Sequence, residues 1–169
     1  MTETLRPGVR LAVDVGSVRI GVARCDPLGL VATPVRTVAR DGHRQGLTEL
    51  VQLVEEHQPV EVLVGLPRSL NGTEGPAALG VREYAGWLST AIDPVTVRLV
   101  DERLTTVSAH QALHASGRAG RKHRAVVDQV AAVMILQTAL DEERNSGTAP
   151  GEVVRESSGR DRGNMEDRR

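Results

Sequence analysis

An aspartate closes the first apolar run of this chain. Leu11-Ala12-Val13-Asp14-Val15 is continuously aliphatic apart from that residue, and Gly16-Ser17 turns it before Arg19-Ile20-Gly21-Val22-Ala23 begins a second run. Unbroken runs of this kind belong to strands covered on both faces, the usual state of a central strand in an α/β sheet. A carboxylate there loses its water, which costs several kcal/mol by order of magnitude unless a cation or donors face it. The fold must therefore bring something to Asp14.

The pattern that follows predicts the architecture. Residues 19–24 and 31–38 read as two further strands, and Asp26-Pro27-Leu28-Gly29 between them has turn chemistry, so the first three strands form an antiparallel meander. Pro34 lacks a ladder donor and places the third strand at the sheet edge. Leu47, Leu50, Val51 and Val54 sit at helical spacing before Gln58-Pro59. Val60 to Leu66 is another buried strand, closed by Pro67. Pro76 is a good first helical residue, and Ala77, Val81, Tyr84, Ala85 and Leu88 mark the inner face of that helix. Val95 to Val100 is the last strand. Thr105 or Thr106 can cap a helix carrying His110 and His114, and a basic loop, 117–124, precedes an almost wholly apolar helix from Ala125 to about Leu140. The expectation is an α/β fold with a five-stranded mixed sheet, its first three strands antiparallel, and helices on both faces. One domain, 1–144, would be followed by a disordered polar tail, 145–169.

Composition narrows the function classes. The chain has 169 residues, no Phe, one Tyr and one Trp, so any nucleic acid it binds cannot rest on an aromatic stacking platform. Net charge is −1, so an anion site must be a local patch. No signal peptide or membrane span is legible, and the single cysteine, Cys25, excludes an internal disulfide, which together predict a cytoplasmic protein with no membrane partner. Cys25 reads as a small apolar residue; a Cys25–Cys25 link between chains is the alternative.

Two more acids share the setting of Asp14. Glu102 follows the last strand, and Asp128 stands on the helical face of Ala131, Ala132 and Ile135. Each alone has a plainer role: a turn cap, a partner for Arg103, a residue favoured by the helix dipole. Three carboxylates gathered at one sheet end would repel one another unless cations sat between them. Oxygen ligands of this type suit Mg²⁺ or Mn²⁺, and a pair of such ions can activate a water and stabilise the leaving oxygen of a phosphodiester.

Val13-Asp14-Val15-Gly16 with Arg19 to Ala23, Val64 to Pro67, Asn71 to Gly75, Asp101 to Thr106, and Asp128 to Ala132 with Ile135-Leu136-Gln137 resemble, in order, the YqgF/RuvX family over residues 8–141. That resemblance implies an RNase H-like fold similar to RuvC-type resolvases. It implies a nuclease that matures the 5′ end of pre-16S rRNA in ribosome biogenesis, resolves Holliday junctions, or both. Asp14, Glu102 and Asp128 match the family's metal-binding, catalytic acids. An intervening strand sets the second acid about 10 Å from Asp14; the longer Glu102 can lean inward and is favoured by the family match, with Asp101 as its rival.

Gly16 and Gly21 would let a phosphate backbone approach the first hairpin, with Arg19 as a phosphate contact. Ser69 and Asn71 are candidate substrate contacts in the 68–75 loop, and Arg103 adjoins Glu102. Arg118, Arg121, Lys122 and Arg124 form a basic run leading into the Asp128 helix; Arg121 and Lys122 are the candidates for nucleic-acid contact. His110 and His114 have zinc-protease spacing without the essential glutamate and read as surface residues. The expected partner is structured RNA or branched DNA, bound by a monomer or a homodimer. Two rivals stay open: an actin-like nucleotide-binding protein, suggested by Asp14-Val15-Gly16, and a non-catalytic binder of rRNA precursors.

Overall fold

The structure, a computed structural model, describes residues 5–40, 46–69, 71–102 and 121–155, the side chains of the last stretch from 127 onward. Its elements are β1 (Arg10–Val15), β2 (Arg19–Cys25), β3 (Ala32–Ala39), α1 (Leu47–His57), β4 (Glu61–Leu66), α2 (Pro76–Ile92), β5 (Thr96–Asp101), α3 (Arg121–Ser146) and β6 (Glu152–Val153). They form a sheet in the order β3-β2-β1-β4-β5-β6. β1, β2 and β3 are antiparallel, while β4 runs parallel to β1 and β5 parallel to β4. The meander is as expected, and Pro34 lies on the edge strand, beside the bulge at Val22/Ala23.

The two faces of the sheet differ in residue size. Leu11, Val13, Ile20, Val22, Val62, Val64, Val97 and Leu99 point to the face covered by α1 and α2. The other face carries Ala12, Ala23, Cys25 and Ala32 with Leu63 and Val100, and against it lie Ala132, Ile135, Leu136, Ala139 and Leu140 of α3. Side chains alternate along a strand, so one period-2 pattern selects large residues for one face and small ones for the other. The small face lets α3 come close. A Cβ on Gly21 would overlap the backbone oxygen of Asp128. Cys25 is buried in this layer and its sulfur accepts the Arg10 N–H at 3.2 Å, so it is a packing residue, and the buried thiol cannot reach a second chain.

Several boundaries differ from expectation. Arg121 to Arg124 belong to the first turn of α3, not to a loop; Arg and Lys are good helix formers, and the apolar run continues the turn they begin. α3 also runs past Leu140 to Ser146, because Glu143 is drawn inward by arginines. The structured chain then continues beyond 144: Glu152–Val153 pairs antiparallel with Leu99 and Arg98 as a sixth strand, and Val154 packs on the core. Two valines in a polar stretch gave too short a pattern to read as a strand. In α2 the inward residue of the first turn is Ala78, with Ala77 exposed. Thr105, Thr106, His110, His114, Arg118 and the last residues of the expected tail, 156–169, fall outside the described residues.

An ion cluster occupies the end of the sheet away from Asp14. Arg10 and Glu61 are each 1 % exposed and bond through Nε to Oε1 at 3.1 Å. Arg6 and Arg98 add bonds to Glu61 at 2.9 Å each, and Arg6 donates to Glu143 of α3 at 2.7 Å. Satisfied on both sides, these charges fasten the C-terminal part of α3 to β1 and β4.

Candidate active site

Strand alternation places Asp14 on the face of Ala12, and Glu102 on the face of Val100, so both look toward α3. Asp101 points the other way, where Arg68 Nη1 stands 3.9 Å from its Oδ2. β4 lies between β1 and β5, and its Gly65 stands level with Val100 and one step past the Val13–Val64 pair. A Cβ at that position would lie 2.7 Å from Glu102 Oε2 and 2.6 Å from Ile135 Cδ1. Glycine in the middle of an aliphatic strand thus opens the path by which the longer glutamate leans across toward Asp14. This signal was present in Val62-Leu63-Val64-Gly65-Leu66 and passed unused in the sequence reading. Glu102 itself is 8 % exposed, and its N–H donates to the Leu66 carbonyl at 3.3 Å.

α3 brings the third acid. Gln129 Nε2 bonds Thr37 Oγ1 at 3.0 Å and ties the helix to β3, beside Gly21 on β2. Asp128 then receives Arg19 Nε at 2.9 Å, with Arg19 29 % and Asp128 21 % exposed. Burial, and after it the charges of Glu102 and Asp128, push the Asp14 carboxyl up to about 7. The charges of Glu102 and Asp128 therefore reach Asp14 at one end of the sheet. Among the described residues no three ligand side chains stand at the spacing of an assembled metal site; Asp128 is engaged by Arg19. The donor set is nonetheless carboxylate oxygen throughout, the chemistry that suits a hard divalent cation.

The surrounding residues divide. Gly16 N–H bonds the Arg19 carbonyl at 2.8 Å and closes the β1–β2 hairpin. Arg40, overlooked in the sequence, donates to the Gly16 carbonyl at 2.8 Å and stacks its guanidinium 4.8 Å from the centre of the Tyr84 ring, holding the hairpin that carries Asp14 and Arg19. Ser69 and Asn71 are exposed but bond one another and Thr73, so they shape the 68–75 loop. Arg103 and the side chains of Arg121 and Lys122 lie outside the described residues.

Comparison with known proteins gives the family and the fold. A family model described as "RuvX: Holliday junction resolvase" matches residues 8–142. A protein of Streptomyces avermitilis is 60 % identical over 154 residues, covering 89 % of this chain and 96 % of its own. One from a Nocardioides species is 58 % identical, covering 90 % of this chain and 100 % of its own. Both carry the name "Putative pre-16S rRNA nuclease". Among solved structures, Thermus thermophilus RuvC is similar in fold, with a TM-score of 0.51 at 16 % identity over 85 % of this chain and 99 % of that one. The fold is thus the RNase H-like α/β fold of RuvC, with six strands among the described residues where five were expected.

Proposed function

Because this chain belongs to the RuvX family, we propose that it is a divalent-metal-dependent nuclease that trims the 5′ end of pre-16S rRNA. The observation that carries the reading is the convergence of Asp14, Glu102 and Asp128 from three separate elements onto one end of the sheet, close enough for the charges of the last two to raise the first.

Asp14, Glu102 and Asp128 would hold Mg²⁺ or Mn²⁺ through their carboxylate oxygens. When bound, such an ion supplies the positive charge that makes water nucleophilic near neutral pH and steadies the leaving oxygen of a phosphodiester. The chain's own part is positioning. Asp14 is fixed to a central strand and would offer its carboxylate to the cation. Glu102 reaches across Gly65, and α3 carries Asp128 in over Gly21. Gly16 leaves the turn without side-chain bulk on the approach of a sugar-phosphate backbone, whereas Gly21, expected to share that role, is covered by the Asp128 backbone of α3; Arg19 stands at the rim for a phosphate. Arg103, Arg121 and Lys122 are assigned the outer phosphates by their place in the sequence, beside Glu102 and at the start of α3. The 68–75 loop, shaped by Ser69 and Asn71, would border the substrate path. With one Tyr and one Trp in the chain, binding rests on charge and falls steeply with salt.

Branched DNA is the second reading, favoured by the family description and by the RuvC-like fold. Resolving a junction requires two active sites and hence a homodimer; trimming an RNA end requires only a monomer. Side-by-side cleavage of a pre-16S rRNA leader and a four-way DNA junction with Mn²⁺, by the wild type and Asp14→Asn, tests both. Metal-dependent cleavage of the leader that disappears in Asp14→Asn is expected. Salt-sensitive binding of the leader with no cleavage by the wild type would make the chain a non-catalytic binder.

A further inference from the structure

We infer that Arg19 is a tethered stand-in for the metal ion: its guanidinium occupies Asp128 until a divalent cation displaces it, and the freed side chain then meets the substrate phosphate. The inference rests on the metal-site reading above and assigns Arg19 a second, regulatory position within it.

Three observations lead there. Arg19 Nε lies 2.9 Å from Asp128 Oδ2, a charge-assisted bond made by the one acid of the trio that arrives on a helix rather than a strand. Both partners are partly open to solvent, at 29 % and 21 %, so the pair can open without exposing a buried charge. Among the described residues the acids are not assembled as a metal site, and the bond to Arg19 accounts for the engagement of Asp128.

Physical chemistry supplies the rest. Three carboxylates at one sheet end are mutually repelling, and a permanent guanidinium against one of them relieves part of that repulsion. A divalent ion held by Asp14 and Glu102 would attract the Asp128 carboxylate more strongly than a single positive charge does. The exchange converts Arg19 from an acid partner into an unpaired fork of donors beside the ion. Arg19 follows the two-residue turn after Gly16, a turn held by Gly16 N–H to the Arg19 carbonyl and by Arg40 on the Gly16 carbonyl. Its backbone is thus anchored while its side chain is free to move. A phosphodiester is a bidentate partner for such a fork. The consequence is order: the phosphate contact becomes available only after the ion is in place, and an empty site keeps a weaker hold on nucleic acid.

The test is Mn²⁺ binding to the full chain without substrate, followed by isothermal calorimetry and by the NMR signal of the Arg19 Nε–H, assigned by its absence in Arg19→Gln. If Arg19 competes, Arg19→Gln binds Mn²⁺ roughly twofold to fivefold more tightly than wild type, the weight of a partly exposed ion pair. The wild-type Arg19 Nε–H signal moves as diamagnetic Mg²⁺ is added. Arg36→Gln, on β3 and bonded to Glu49, removes the same charge without touching Asp128 or the β1–β2 turn, and at 0.15 M salt, where the Debye length is about 8 Å, it shifts Mn²⁺ affinity less than Arg19→Gln does. Equal or weaker Mn²⁺ binding by Arg19→Gln, or an Arg19 signal indifferent to Mg²⁺, overturns the inference. If Asp14→Asn still abolishes Mn²⁺ binding in that case, the metal-site reading survives alone. If neither Asp14→Asn nor Asp128→Asn affects Mn²⁺ binding, both fail together.

Discussion

Gly65 and Glu102 are cross-sheet neighbours in which the missing side chain of one defines the reach of the other: a Cβ at 65 would sit 2.7 Å from Glu102 Oε2. Without that gap the glutamate could not lean over β4, and its separation from Asp14 would be that of two strand spacings.

Gly65→Ala should therefore lower cleavage by at least tenfold while costing about 1–3 kcal/mol of stability, since Ile135 Cδ1 must also give way at 2.6 Å. Gly80→Ala, on α2 with nothing near the added methyl, is the matched control. It should raise stability by about 0.5–1 kcal/mol and leave turnover unchanged. Urea melts and initial rates on the same preparations separate the two.

Asp14 predicts a pH dependence. In the folded chain without metal its carboxyl holds a proton up to about 7, whereas the unfolded chain releases it near 3.8. Between those values the folded state carries the extra proton, so this group's effect on stability is nil below about 4 and becomes steadily more unfavourable as pH rises through 7. Asp14→Asn removes the penalty. In EDTA the variant should exceed the wild type at pH 8 by a few kcal/mol and match it more nearly at pH 5. Added Mg²⁺ should narrow the gap at pH 8 by stabilising only the wild type.

Breaking the buried ion cluster should be costly at a distance from the chemistry. Glu61→Gln leaves Arg10, itself 1 % exposed, with Arg6 and Arg98 short of their shared carboxylate. A loss of about 3–5 kcal/mol is expected by chemical denaturation. The fraction that remains folded should cleave at the wild-type rate.

Ending the chain after Ser146 removes β6, its pairing with Leu99 and the Arg82–Glu152 bond at 2.7 Å. A destabilisation of about 1–2 kcal/mol with cleavage retained is expected, from the lost cover of Val154 on the core. Unchanged stability would mean that the sixth strand adds nothing to the sheet.

The sheet was legible because its central strands are long aliphatic runs that no other element could bury, and Asp14 stood out because it interrupts one. Glu102 and Asp101 are not told apart by charge or spacing; the pleat sets 102 with Val100 on the α3 face and 101 beside Arg68, which supports the proposal of Glu102 as the second acid. The Arg10–Glu61–Glu143 cluster was invisible because its members are 51 and 133 residues apart and each looks like a surface residue in its own segment. β6 was missed for the opposite reason: two residues carry no period. The Arg19–Asp128 bond spans 109 residues and joins a strand to a helix, a pairing only three-dimensional packing creates.

The layer of alanine, glycine and cysteine beneath α3 has one more effect. It works as a shim whose thickness fixes how far the helix stands off the sheet, and Asp128 travels with the helix. An added methyl at Ala12 or Ala23, neither of which is an acid, would lift α3 and widen the triangle of carboxylates. Enzymatic rate in such a protein becomes adjustable from its dry interior, one carbon at a time.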